Sequence, residues 1–132
     1  SHIVVTTKNN GAVPDLPVDC AVEVSSYIGS TGARPIAFGP LEPAERGWVQ
    51  CMKNMELCVE EAAVTGDYGT LLQAFTINPQ IVAGTKAKRI MDELLIAHKK
   101  YLPQFADTIA RLEEEGVTIK DDVARELTEK GL

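Results

Sequence analysis

The stretch that decides the fold is Lys8-Asn9-Asn10-Gly11-Ala12-Val13-Pro14-Asp15-Leu16-Pro17-Val18-Asp19-Cys20-Ala21-Val22-Glu23-Val24. Cys20 to Val24 has strand composition, and Ala21-Val22-Glu23-Val24 alternates in part. Asn10-Gly11 supplies the positive-φ positions of a tight turn, which predicts antiparallel pairing of the runs on either side. Upstream, Ile3-Val4-Val5 is a second strand-like run. Downstream, Pro35-Ile36-Ala37-Phe38 is a third, set off by turn residues at Thr31-Gly32 and Gly39-Pro40. Three strands alone make a marginal sheet, so helices are expected on one face.

Helix signals follow. Pro43 suits a helix start, and Trp48, Cys51, Met52, Met55, Val59, Ala62 and Ala63 recur at three- and four-residue steps until Gly66. Asp67 caps a second helix with Leu71, Leu72, Phe75 and Ile77, stopped by Asn78-Pro79. Thr85 opens a third, with Ile90, Met91, Leu94, Leu95 and His98 down one side, ending near Tyr101 and Pro103. Asp107 to Glu115 and Asp121 to Lys130 read as two short charged helices. The fold class is therefore α+β: a small antiparallel sheet over about residues 3–39, three main helices over 43–105 and a polar helical tail over 107–132. The chain of 132 residues is read as a single domain.

Composition narrows the function classes. A net charge of −6 argues against a nucleic-acid binder, whose affinity needs clustered Lys and Arg. The densest cationic spots, Lys86-Ala87-Lys88-Arg89 and Lys99-Lys100, read as solvated faces of one helix. No apolar run approaches the ~20 residues that span a bilayer. Three cysteines, an odd number at no ligand spacing, suggest a reducing compartment, and the expected location is the cytoplasm. The chain opens inside a strand, which suggests a segment of a longer protein.

Few residues invite chemistry. Glu56, Glu60 and Glu61 include a pair one helical turn apart, a spacing that fits a solvated stripe as well as an acid/base pair. Cys51 and Cys58 lie roughly on one helical face but lack a Cys or His partner at i+3 or i+4, so Cys20, Cys51 and Cys58 read as small buried hydrophobes. His98 falls on an apolar stripe and reads as a core or interface histidine. Asn9, Asn10 and Gly11 stand apart. Amide side chains on a permissive backbone suit hydrogen bonding to a hydroxylated ligand or a neighbouring domain, and equally suit a plain hairpin turn.

From Val4 to Phe105 the sequence resembles the C-terminal segment of glycoside hydrolase family four. The resemblance rests on an ordered set: the Lys8 to Val24 stretch, Gly32-Ala33-Arg34-Pro35, Glu56-Leu57, Glu61-Ala62-Ala63-Val64-Thr65-Gly66-Asp67-Tyr68, Asp92-Glu93-Leu94-Leu95, and Ala97-His98-Lys99-Lys100-Tyr101-Leu102-Pro103-Gln104-Phe105. Gly66-Asp67-Tyr68 and Ile77-Asn78-Pro79 look like the 6-phospho-β-glucosidase branch. The resemblance implies the C-terminal, substrate-domain and oligomerisation part of a larger dehydrogenase-like enzyme, similar to the C-terminal domain of lactate dehydrogenase. It further implies hydrolysis of 6-phospho-β-glucosides by redox elimination, with NAD oxidising the sugar at carbon 3, manganese stabilising the enolate and a base removing the carbon 2 proton. Cys20, Tyr27, Cys51, Cys58 and His98 do not occupy the family's ligand or base positions, so no catalytic, NAD-binding or metal residue is expected here. NAD and manganese are expected only in the complete enzyme. The expected partners are its N-terminal nucleotide-binding domain and further copies of itself, with Trp48, Met52, Met55 and Val59 as the two-fold contact; no nucleic acid and no membrane partner is expected. The competing reading is a stand-alone helical interaction or regulatory module, supported by the amphipathic helices.

Overall fold

The computed structural model describes residues 1–81, 84–120 and 122–131. The chain divides into two compact units, Ser1–Lys53 and Asn54–Leu132. The first unit carries strands β1 (His2–Lys8), β2 (Ala21–Gly29) and β3 (Gly32–Pro35), in the sheet order β1-β2-β3. Both pairings are antiparallel, with Val5 opposite Val24 and Ser26 opposite Pro35. This is the expected small antiparallel sheet, with one correction. The third strand ends at Pro35 instead of starting there, because residues from Gly32 onward continue the β2 hairpin and only Ile36 extends it, donating to the Ser25 carbonyl at 2.9 Å.

Alternation sets the faces of the sheet. Val22 and Val24 of β2 turn inward and join Val13 and Cys20 in a small buried cluster flanked by Leu16 and Leu41. Helix α1 (Pro43–Thr65) starts where Pro43 predicted and runs from the first unit into the second. Its expected apolar stripe is mostly not core: only Ala62 is buried, and Trp48 is 61% exposed.

In the second unit, Gly66 ends α1 with φ +74°, the left-handed conformation that suits glycine at a helix C-terminus. Asp67 then caps α2 (Tyr68–Ile77), its Oδ1 accepting from the Thr70 amide at 2.6 Å. Helix α3 (Thr85–Ala97) stops earlier than its periodicity suggested. The backbone leaves the helix at His98, and two 3-10 turns, Lys99–Tyr101 and Pro103–Phe105, replace the last turn. His98 is consequently exposed, a correction to its reading as a core histidine. Helices α4 (Ala106–Glu114) and α5 (Asp122–Glu129) follow; Asp121 lies outside the described residues. The core of this unit is Ala62, Met91, Leu95, Phe105, Ile109 and Leu112, with Leu71, Leu72 and Phe75 packed around it. Helix α4 thus contributes core residues, because Ile109 and Leu112, three apart, share the one apolar face of an otherwise charged helix.

Candidate functional site

Asn9 organises the segment between β1 and β2. Its side chain is fully buried. Nδ2 donates to the carbonyls of Val13 (2.9 Å), Leu16 (3.2 Å) and Pro17 (3.0 Å), and Oδ1 accepts from the Val13 amide at 2.8 Å. The main chain closes around it: the Asn9 amide donates to Cys20 and that of Asn10 to Val18, both at 2.9 Å. A segment of this kind has no ladder to satisfy its polar groups, so one amide side chain satisfies several. Asn10 and Gly11 turn the chain with φ +48° and +84°, as the Asn-Gly pair predicted. Both are exposed. Of the three candidate loop residues, Asn10 and Gly11 therefore face solvent and Asn9 holds them in place from inside.

Asp15 ties the far side of this loop down. Its Oδ2 accepts from the Leu41 amide at 2.7 Å, its Oδ1 lies 3.5 Å from Arg46, and its carbonyl accepts from Gln50 at 2.8 Å. Lys53 donates to the Ala21 carbonyl at 2.8 Å. Asp15 was not singled out in the sequence; its position between two prolines, at the turn of a loop, is the signal that could have found it.

A second polar node joins the helices of the second unit. The Tyr68 hydroxyl donates to Asp92 Oδ1 at 2.7 Å and Lys88 donates to Oδ2 at 2.6 Å, while Asp92 is buried. Lys88 Nζ and the Arg111 guanidinium lie 5.7 and 5.4 Å from the Tyr68 ring centroid. Burial, then the hydrogen bond to Asp92, raises the Tyr68 pKa; the hydrogen bond to Asp92 raises that of Lys88. A groove of about 270 Å³ runs beside this node, its walls including Lys88, Arg89, Asp92, Glu93 and Lys120. Its charges are largely paired among themselves: Arg89 lies 3.5 Å from Glu93, whose carboxylate also accepts from the Lys120 amide at 3.0 Å. Of the cationic runs, Lys88 and Arg89 pair with Asp92 and Glu93, and Lys99 with Glu113 at 2.7 Å; the runs lie on α3 and a 3-10 turn, not along one helix.

Among the described residues no three His, Cys, Asp or Glu side chains converge to hold a metal ion. Cys20 is buried, Cys51 and Cys58 are half-buried, and none of the three is in a disulfide. Glu56 and Glu60 are both exposed, as the solvated reading expected. No described helix is long and apolar enough to cross a membrane.

Comparison with known proteins matches residues 1–81 to the family 4 glycosyl hydrolase C-terminal domain. A probable 6-phospho-beta-glucosidase of Bacillus subtilis (strain 168) is 53% identical over 105 residues, 80% of this chain and 24% of the relative. The 6-phospho-beta-glucosidase of Escherichia coli (strain K12) is 30% identical over 83% of this chain and 25% of its own. A crystal structure of a 6-phospho-alpha-glucosidase from gut microorganisms, in complex with NAD and glucose-6-phosphate, superposes with a TM-score of 0.75 at 32% identity, over 79% of this chain and 24% of that one. The chain spans about a quarter of the length of the relatives it matches. On the matched domain, the identity and the shared fold, the chain belongs to family 4 of the glycosyl hydrolases.

Proposed function

We propose that this chain is the C-terminal, substrate-domain and oligomerisation part of a 6-phospho-β-glucosidase that cleaves 6-phospho-β-glucosides by NAD- and manganese-dependent redox elimination in the cytoplasm. The 53% identity to a probable 6-phospho-beta-glucosidase carries the reading. Maltose-6'-phosphate glucosidases and a 6-phospho-alpha-glucosidase match at lower identity, which favours the β-glucoside over the α-linked substrates. The reacting groups are assigned to the remaining three-quarters of the enzyme, since the sequence carries no glycine-rich dinucleotide turn and the described residues bring no metal donor set together. Within this chain the contribution is shape: Asn9 fixes the Asn10-Gly11 turn, whose exposed amides can meet a hydroxylated ligand or the nucleotide-binding domain.

The test has two arms. A full-length enzyme carrying this segment, supplied with NAD and manganese, should hydrolyse a chromogenic 6-phospho-β-glucoside and leave the α-anomer largely intact. The isolated chain should show no saturable NAD binding by calorimetry. Preference for the α-anomer would overturn the substrate, and NAD binding by the chain alone would overturn the division of labour.

A further inference from the structure

Asn10-Gly11 is the only Asn-Gly pair in the chain. A glycine amide has no side chain to shield it, so its nitrogen can attack the side-chain amide of a preceding asparagine. The attack closes a five-membered ring, which needs Cβ of Asn10 and the Gly11 nitrogen nearly eclipsed about the Asn10 Cα–C bond. The turn holds them apart. Asn10 and Gly11 have φ +48° and +84°, and the Ala12 amide donates to the Asn9 carbonyl at 2.9 Å, the signature of a type I′ turn. Such a turn sets ψ at about +30° at its first central residue, which leaves Cβ and the next nitrogen nearly anti. Clamps on both sides resist the rotation. The Asn10 amide donates to Val18 at 2.9 Å, and the carbonyl of the buried Ala12 accepts from Phe38 and Gly39 at 2.8 and 3.3 Å. The fully buried Asn9 ties the turn to Val13, Leu16 and Pro17. Every one of these groups lies within residues 9–39, inside the first unit, so the clamp is set locally whatever the rest of the enzyme packs against it.

We propose that Asn10 is a covalent modification site, deamidated through a succinimide when the turn opens, and that Asn9 is the positioning residue that keeps this reaction slow. In the first step the Gly11 nitrogen gives its proton to hydroxide and bonds to Cγ of Asn10. The Cγ–Nδ2 bond breaks, and the side-chain nitrogen takes up a proton and leaves as ammonia. One water then opens the ring at either carbonyl, giving aspartate or isoaspartate. The net change is water in and ammonia out, with nothing oxidised or reduced. Either product adds a negative charge at the turn, and isoaspartate also adds a main-chain carbon between the Asn9 carbonyl and the Ala12 amide that close it. The inference goes beyond the proposed hydrolytic function and rests on none of it.

The test uses the full-length enzyme carrying this segment, aged at mildly alkaline pH and read by peptide mapping at all four asparagines, Asn9, Asn10, Asn54 and Asn78. Asn10 should react at least about tenfold more slowly than in a linear peptide of residues 7–13, because the folded chain reacts only on local opening. It should still outpace Asn54, held inside α1, and Asn78, whose neighbour Pro79 has no amide proton to give up. Asn9→Asp keeps the acceptor for the Val13 amide but loses the three bonds donated by Nδ2, and should speed the reaction of Asn10 at least about tenfold. Gly66→Ala strains the other unit and should leave the Asn10 rate unchanged, which separates the clamp from stability in general. The proposal is overturned by a wild-type rate equal to that of the peptide, by an Asn10 no faster than Asn54 and Asn78, or by an Asn9→Asp rate equal to that of the wild type. Equal acceleration by Asn9→Asp and Gly66→Ala would overturn it as well.

Discussion

The segment between β1 and β2 and the helical unit are ordered by different means. In the first, a single buried amide bonds to Val13, Leu16 and Pro17, and the apolar cluster beside it is only Val13, Cys20, Val22 and Val24. In the second, Met91, Leu95, Phe105, Ile109 and Leu112 pack with Ala62, and the polar node in which Tyr68 and Lys88 meet the buried Asp92 lies on the helices around them. A loop can be as specific as a core when one side chain answers several backbone groups, but its stability then depends on that side chain, whereas a packed core spreads the dependence over many contacts.

The largest effect is expected where packing leaves no room at all. A Cβ at Gly66 would lie 2.1 Å from the Gln104 carbonyl oxygen, and φ is already +74°. Gly66→Ala should cost about 3 kcal/mol or more, from left-handed strain plus displacement of the 3-10 segment. Denaturant unfolding measures it; a cost under about 1 kcal/mol would mean that the helical unit yields more readily than its core implies.

Asn9→Ala comes next. It removes the partner of the buried Val13 amide and of the Val13, Leu16 and Pro17 carbonyls, for an expected loss of about 2–4 kcal/mol. Faster hydrogen exchange at the Asn10, Ala12 and Val13 amides should accompany it. If those amides keep their protection, the loop is held by its turns and apolar cluster, and the contrast with the helices disappears.

Tyr68→Phe should be milder, about 1 kcal/mol, because Lys88 still satisfies Asp92. The pH dependence sharpens it. Tyr68 and Lys88 have folded pKa values raised above ordinary values of about 10, so their contribution is complete below pH ~10 and is lost as pH rises through the folded values. Alkaline unfolding should therefore be steeper in the wild type than in Tyr68→Phe, and superimposable curves above pH ~10 would remove the Tyr68 hydroxyl as a source of stability.

Much of the architecture was legible from local signals: Asn10-Gly11 for the turn, Pro43 for the start of α1, Gly66 and Asp67 for the break between helices, Asn78-Pro79 for the end of α2. These residues act on their own φ values or on amides within three positions, so neighbours in sequence suffice to read them. The alternation of Val22 and Val24 likewise fixed which face of β2 is buried.

What only the tertiary structure decided involves partners far apart in sequence. Asn9 carries the same amide whether it meets a ligand or folds inward, and burial against Leu16 and Pro17 chose the second. The node of Tyr68 and Asp92, 24 residues apart, and the tie between Asp15 and Leu41, 26 apart, require the folded chain to bring them together. The stripe on α1 shows the converse: helical periodicity places Trp48 and Met52 on one side but says nothing of what that side meets, and in this chain Trp48 is left largely exposed. Family membership followed from the order of short motifs along the sequence, because that order survives translation into any fold. Which groups are buried or paired does not, because burial belongs to distances in space.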